Sequence, residues 1–159
     1  IINEAYILRE PVSPHWAAEI DQKFINLSLL NLPNVEGSLI VETAGGLMVP
    51  ITRNYLQIDQ IKKWDLPVIL VCRSSLGTLN HSLLSIEALR KRNIKIMGLV
   101  INGEKHFDNP KTLSEFSGLP IIAEFPYIKK IGPNDLDILW KELNIKNKLI
   151  SLFNTQKDK

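Results

Sequence analysis

Apolar residues follow two periods along this chain, and the periods alternate. Four short apolar runs, rich in β-branched residues, read as strands buried on both faces of a parallel sheet: residues 39–41, 68–72, 96–101 and 121–123. Between the runs, apolar residues recur every three or four positions, which predicts amphipathic helices. Strands alternating with helices predict an α/β protein with a mostly parallel sheet and helices on both faces.

The helical pattern can be placed by its apolar positions and its breaks. Ser13 and Pro14 favour a helix start, after which Ile20, Phe24, Leu27 and Leu30 keep helical spacing until Pro33. The other predicted helices are residues 55–64, a strong helix through Leu79, Leu83, Ile86 and Leu89, a short one at 111–116, and a final one from about 133 or 135 to 153. Residues 154–159 read as a frayed polar tail.

Composition narrows the class of protein. The length of 159 residues predicts one domain, 1–159, with enough chain for a real core. A net charge of +2 gives no support for a nucleic-acid surface, and no apolar run is long enough for a membrane span. The lone Cys72 excludes an internal disulfide, so we expect a cytoplasmic protein. The chain begins with Ile1 rather than Met, and we expect it to be part of a longer polypeptide.

The first predicted strand ends in a carboxylate followed by small residues. Glu42 stands at the strand end, and Ala44, Gly45 and Gly46 would let a ligand's phosphates approach the backbone. An acid in that position suits a hydrated Mg²⁺ beside a nucleotide. An ordinary strand-end acid before a Gly-Gly turn explains the same residues equally well.

The next two strand ends offer different chemistry. Gly77 and Thr78 form a glycine turn that opens a helix, whose free amides suit an anion such as a carboxylate, and Asn80 adds a donor or caps the helix. Asn102, followed by Gly103, presents an amide able to read a purine edge, although a plain turn dipeptide is the alternative. The residues alone therefore predict an α/β ligand-binding domain with an anion site, and no reaction.

Five segments in the same order resemble the dethiobiotin synthetase family, the ATP-dependent enzymes of biotin synthesis. They are Ser-Pro-His at 13–15, Glu-Thr-Ala-Gly-Gly-Leu-Met-Val-Pro at 42–50, the stretch 66–84 with its Leu-Gly-Thr-Leu-Asn-His, Gly-Leu-Val-Ile-Asn at 98–102, and Glu-Phe-Pro at 124–126. The resemblance covers nearly all of the chain and implies a P-loop NTPase-like three-layer architecture in a homodimer. The implied reaction joins CO₂ to 7,8-diaminopelargonic acid as a carbamate, which ATP phosphorylates before the ureido ring closes.

The resemblance also implies roles for individual residues. Glu42 would help hold Mg²⁺ and serve catalysis, and with Thr43, Ala44 and Gly45 would border the phosphates of ATP. The remaining roles are adenine binding by Asn102 and Gly103 with Pro126, Tyr127 and Ile128 lining the pocket, and substrate binding by Ser13, Gly77, Thr78 and Asn80.

The chain departs from the family at two places. Thr43 stands where the family has a glycine, and no Gly-x-x-x-x-Gly-Lys-Thr phosphate loop or following lysine occurs in the sequence. We therefore expect the C-terminal portion of a synthetase, with little activity from this chain alone. The alternatives are a non-catalytic or regulatory binding module of the same fold that has lost the loop, or another P-loop-related ATPase.

Overall fold

The computed structural model describes residues 2–157, with side chains up to residue 154. The chain divides into two compact units, Ile1–Leu66 and Pro67–Lys159, and each is described by itself. The single domain expected from chain length stays a prediction.

The first unit combines short helices with a small hairpin. Helix α1 spans Pro14–Ile20, a 3₁₀ turn spans Leu27–Leu30, strands β1 (Pro50–Thr52) and β2 (Tyr55–Leu56) pair antiparallel, and helix α2 spans Gln57–Trp64. The sequence pattern did not predict the hairpin, and it assigned residues 55 and 56 to the helix that follows.

Two kinds of contact hold the first unit together. Ala18 of α1 packs with Ile25 and with Ile51 of β1 in a small apolar cluster. The side chains of Gln60 and Trp64 both donate hydrogen bonds to the carbonyl of Leu30, at 3.1 and 2.6 Å. Because Gln60 is fully buried, this bond satisfies an amide that would otherwise be costly to remove from water.

The predicted helix from Ser13 towards Leu30 is interrupted. It ends at Ile20, and Gln22 adopts a left-handed conformation with φ of 54°. Phe24, which the periodicity placed on the buried face, is 85% exposed. Ser13 precedes α1 as expected, but its carbonyl accepts from Trp16 and Ala17 while its side chain makes no capping bond.

The apolar run at 39–41 does not form a strand, so that prediction is wrong for the structure. Residues 39–43 have no strand pairing among residues 2–157, and Ile40 is 94% exposed. A strand needs a neighbour to satisfy its backbone groups, and an apolar run specifies burial without specifying that neighbour.

The second unit is a parallel sheet flanked by helices, which confirms the predicted fold class. Strands β3 (Val68–Arg73), β4 (Ile96–Asn102) and β5 (Ile121–Phe125) lie in that order. Helix α3 (Thr78–Lys91) connects β3 to β4, and helix α4 (Asn109–Ser117) connects β4 to β5. These crossovers follow because parallel strands need a long connection.

The core of the second unit lies between the sheet and the crossover helices. It consists of Cys72, Ile86, Leu99, Ile101 and Leu113, all at most 5% exposed. The helix prediction for the segment after β3 is confirmed, because Ile86 and Leu89 of α3 are buried.

Strand β3 is less buried than its continuous apolar run predicted. Ile69 is 38% exposed and Val71 63% exposed, whereas Cys72 between Val71 and Arg73 is 5% exposed. The difference arises because β3 is an edge strand of the described sheet, paired with β4 alone.

Two helices follow β5 where the sequence predicted one. Helix α5 spans Pro133–Glu142 and helix α6 spans Ile145–Lys157, separated by Asn144 with φ of 51°. Asparagine tolerates this left-handed conformation better than most residues, so the break falls at a suitable position. Residues 154–157, predicted as a frayed tail, are helical, and 158–159 lie outside the described residues.

Candidate functional site

The carboxyl ends of the three parallel strands meet at one edge of the second unit. In the sheet register Arg73 pairs with Asn102, and Asn102 pairs with Phe125. Pro126 follows Phe125 directly, so the structure brings the predicted adenine-binding residues Asn102, Gly103 and Pro126 to neighbouring strand ends. Ligands of open α/β sheets bind at such an edge.

The peptide group between Asn102 and Gly103 is held from both sides. Its carbonyl, on Asn102, accepts a hydrogen bond from the amide of Ser74 at 3.1 Å. Its N–H, on Gly103, donates to the carbonyl of Phe125 at 3.0 Å. The turn that presents the exposed Asn102 side chain is thus fixed to the ends of both neighbouring strands.

The backbone conformation and the close neighbours of Gly103 both favour a residue without a side chain. Its φ is 132°, a conformation that residues with a Cβ rarely adopt. A Cβ at this position would lie 2.6 Å from the Ser74 hydroxyl oxygen, well inside van der Waals contact. The Asn-Gly pair is therefore more than a generic turn signal, because the glycine permits the close approach to Ser74.

Ser74 is itself held by helix α4. The side-chain amide of Asn109, the first residue of α4, donates to the Ser74 carbonyl at 3.0 Å, and both residues are buried. The imidazole Nδ1 of His106 accepts from the amides of Asp108 and Asn109 at 3.2 and 3.1 Å. His106 thus satisfies amides at the start of α4 that have no partner within the helix.

The predicted carboxylate site lies at the start of α3. Gly77 precedes the helix with φ of 90°, and Asn80 is exposed in the first turn. Thr78 is 6% exposed, its hydroxyl lies 3.4 Å from that of Ser82, and its amide donates to Ser75. Among the three residues, the Asn80 side chain is the most accessible to a ligand.

Cys72 is a structural residue of this edge. Burial raises the pKa of its thiol, and a hydrogen bond with Ser82 partly offsets that shift. A buried thiol with a raised pKa is a poor nucleophile, so Cys72 fits a structural role.

In the first unit, the acid and glycine turn is formed although its strand is not. Glu42 is exposed, the Thr43 hydroxyl donates to the Gly45 carbonyl at 3.3 Å, and Gly45 has φ of 90°. After this turn the carbonyls of Leu47 and Val49 accept from the first amides of α2. The Thr43 side chain, which stands where the family has a glycine, therefore forms a hydrogen bond within the turn.

Ser13 lies at the start of α1 and is partly buried. The neighbouring His15 makes a 3.3 Å contact between Nδ1 and the carbonyl of Pro50 in β1. This contact gives His15 a structural role between α1 and β1.

The donor set for a metal in the described residues is small. No cluster of three or more His, Cys, Asp or Glu side chains that could bind a metal occurs among residues 2–154, whose side chains the structure describes. An exposed carboxylate such as Glu42 still fits Mg²⁺, because this ion keeps several waters and takes one or two carboxylates together with substrate phosphates.

Comparison with known proteins identifies the family. A family described as an AAA domain matches residues 1–135. The ATP-dependent dethiobiotin synthetase BioD of Bradyrhizobium diazoefficiens is 41% identical over 153 residues, which are 96% of this chain and 72% of that protein. The chain belongs to the dethiobiotin synthetase family.

Other relatives in this family have similar identity to this chain. The BioD of Lawsonia intracellularis is 44% identical over 86% of this chain and 66% of its own length. The biotin biosynthesis bifunctional protein BioCD of Bordetella avium is 39% identical over 92% of this chain and 32% of its own length. The chain therefore spans about two thirds of the dethiobiotin synthetases that it matches, and the family resemblance stated from the motifs is confirmed.

A cavity in the second unit lies elsewhere. It measures about 380 Å³ and lies between the start of β5 and helix α6, lined by residues that include Ile121, Ile122 and Lys148. None of the predicted site residues of the synthetase line it, so the cavity and the strand-end site are separate. In addition, no helix within residues 2–157 has the length and apolar character needed to span a bilayer.

Sequence reasoning missed Ser74 and Asn109 at this candidate site. Their contribution is made through backbone contacts and a buried amide; Ser74 lies within the family segment 66–84 without a role of its own there, and Asn109 lies in none of the five segments. The one available signal was Asn102-Gly103 itself, since a glycine in a turn often marks a close approach by another part of the chain.

Proposed function

We propose that this chain takes part in the ATP-dependent closure of the ureido ring of dethiobiotin from 7,8-diaminopelargonic acid and CO₂. The observation that carries the proposal is the strand-end arrangement around Asn102 and Gly103, in a chain 41% identical to a dethiobiotin synthetase over 96% of its length. The reaction needs no protein nucleophile, so catalysis rests on positioning and charge neutralisation.

In this proposal the second unit binds the adenine and the carboxylate of the diamino acid. The exposed Asn102 amide offers both a donor and an acceptor to a purine edge, and Pro126, Tyr127 and Ile128 continue from the next strand end. Gly77 and the first turn of α3 offer backbone amides, and Asn80 offers its side-chain amide. Thr78 contributes mainly through its backbone, because its hydroxyl lies beside Ser82.

For the first unit, considered by itself, metal and phosphate binding are the roles that the family resemblance implies. Glu42 would hold a hydrated Mg²⁺, which neutralises phosphate charge when it is bound. The turn of Thr43, Ala44 and Gly45 would border the phosphates, and Ser13 would contact the diamino acid. The homodimer and the cytoplasmic location expected from the sequence stay predictions.

A binding and turnover measurement tests this function. We expect ATP to bind, and we expect Asn102→Ala to weaken ATP binding by about tenfold, the equivalent of roughly 1.4 kcal/mol. Asn154→Ala, a change of the same type at an exposed position of α6, is the matched control. ATP hydrolysis should depend on added diaminopelargonate wherever turnover is detected.

Two results would count against the proposal. Equal ATP affinity of the Asn102 variant and the unchanged chain would remove Asn102 from the adenine site. ATP turnover that ignores diaminopelargonate would favour another P-loop-related ATPase, and ligand binding without any turnover would favour the binding module considered above.

A further inference from the structure

Two successive hydrogen bonds hold the turn that contains Asn102. The Asn102 carbonyl is held by the Ser74 amide, and the Ser74 carbonyl is held in turn by the side chain of Asn109. Ser74 therefore has both of its backbone polar groups occupied, one by β4 and one by α4. Neither Ser74 nor Asn109 is exposed to a ligand, at 7% and 8% exposure.

We propose that Asn109 is a positioning residue for Asn102, acting through the backbone of Ser74. Asn109 would fix the Ser74 peptide, and the Ser74 amide would fix the peptide that presents the Asn102 side chain. This inference rests on the proposed function, because it assigns Asn109 to the adenine side of that site. It adds a residue that belongs to none of the motifs by which the family was recognised.

Physical chemistry supports a role beyond stability. Ligand binding loses less conformational entropy when the receptor group is already held in the binding conformation. Releasing the Ser74 carbonyl would leave a buried acceptor unsatisfied and free the turn to sample other conformations. The loss should therefore appear in ligand affinity and in the local exchange of backbone amides.

Asn109→Asp, measured at a pH where the new carboxyl group is ionised, is the suitable variant, because it keeps the shape of the side chain and a carboxylate cannot donate a hydrogen bond. A carboxylate in the first turn of α4 suits the helix dipole, so the helix itself should persist. Asn154→Asp gives the same change of charge at an exposed position and is the control. Thermal unfolding of both variants measures any general loss of stability.

The first arm of the experiment needs no ligand. We expect hydrogen exchange of the Ser74 and Gly103 amides to become faster in Asn109→Asp, by about tenfold if one net hydrogen bond is lost. The Asn154 variant should leave both rates unchanged. Unaltered exchange in Asn109→Asp would overturn the positioning role, whatever the ligand data show.

The second arm measures ATP affinity in a double-mutant cycle. Asn109→Asp should weaken ATP binding by about tenfold in the unchanged chain. It should have little further effect when Asn102 is already Ala, because its contribution acts through that side chain. Additive losses would contradict the inference, since a merely structural residue would weaken binding in both backgrounds.

The two arms separate failure of the inference from failure of the function. If Asn102→Ala weakens ATP binding and Asn109→Asp does not, the positioning role is wrong and the proposed function stands. If the chain binds no ATP, the proposed function fails, and the exchange arm still decides whether Asn109 fixes the turn.

Discussion

The close approach of Gly103 to Ser74 allows a prediction whose size follows from the structure. In Gly103→Ala, the new Cβ meets the Ser74 oxygen at 2.6 Å and the backbone stays at φ of 132°. The backbone strain costs about 1–3 kcal/mol, and the overpacking against the buried Ser74 side chain adds about 1–3 kcal/mol. We therefore expect a loss of roughly 2–6 kcal/mol in the free energy of unfolding.

A second substitution separates these two costs. In the Ser74→Ala background the oxygen is gone, and the nearest remaining atoms are the Cβ and amide nitrogen of residue 74, at 3.6 Å. Gly103→Ala should then cost the backbone strain alone, about 1–3 kcal/mol. The coupling between the two sites should be about 1–3 kcal/mol in the favourable direction.

Urea unfolding of all four proteins measures this cycle. Tryptophan fluorescence and far-UV circular dichroism should be followed together, because coincident transitions test whether unfolding is two-state. Additive losses at Gly103 and Ser74 would refute the reasoning, since they would show that the new methyl group never meets the serine oxygen.

Three further predictions concern other described residues. The hydrogen bond from Arg9 lowers the pKa of Asp21 below its ordinary value of 3.8. Asp21 therefore stabilises the fold above its unfolded-state pKa, and this stability is lost as the pH falls through the lowered pKa. Asp21→Asn should flatten the acid side of a stability–pH curve, and an unchanged curve would contradict this. Glu42→Gln should weaken Mg²⁺-dependent ATP binding, whereas the exposed control Glu36→Gln should not, and equal effects would remove Glu42 from the site. His106→Ala removes the acceptor at the start of α4 and should cost about 1 kcal/mol in urea unfolding, and a loss near zero would show that water replaces the imidazole.

The second unit could be predicted well from the sequence because its signals are local and agree with one another. The apolar runs at 68–72, 96–101 and 121–123 each end in polar or glycine residues, and the helices between them have continuous apolar faces. Each strand finds its partner through the crossover that follows it, so sequence order and sheet order coincide.

The first unit was predicted less well because its contacts depend on residues far apart in the chain. Residues 39–41 carry a strand-like pattern, but pairing is a property of a neighbour that periodicity cannot supply. The helix through Phe24 failed for a similar reason, because Ile25 packs on Ile51 instead of on the next turn of a helix. Tertiary contacts overrode the local pattern in both places.

Residues of the candidate site could be proposed from the sequence where the side chain itself would contact a ligand. Residues that only hold the backbone of the site in place could not. Asn102 and Gly103 could be proposed from the sequence because an amide at a strand end carries chemistry that residue types display. Ser74 and Asn109 were missed because an amide–carbonyl bond to the backbone leaves no mark in the residue types. The roles of the site residues as a set stay predictions.

The edge strand β3 has a practical consequence for anyone who purifies this chain. Its outer backbone groups are unpaired by any strand within residues 2–157, and its Ile69 and Val71 side chains are partly solvent-exposed. An extended apolar edge of this kind can add a strand from another molecule, which is how many β-containing proteins begin to aggregate. Refolding at low protein concentration, where encounters between such edges are rare, should favour monodisperse material over precipitate.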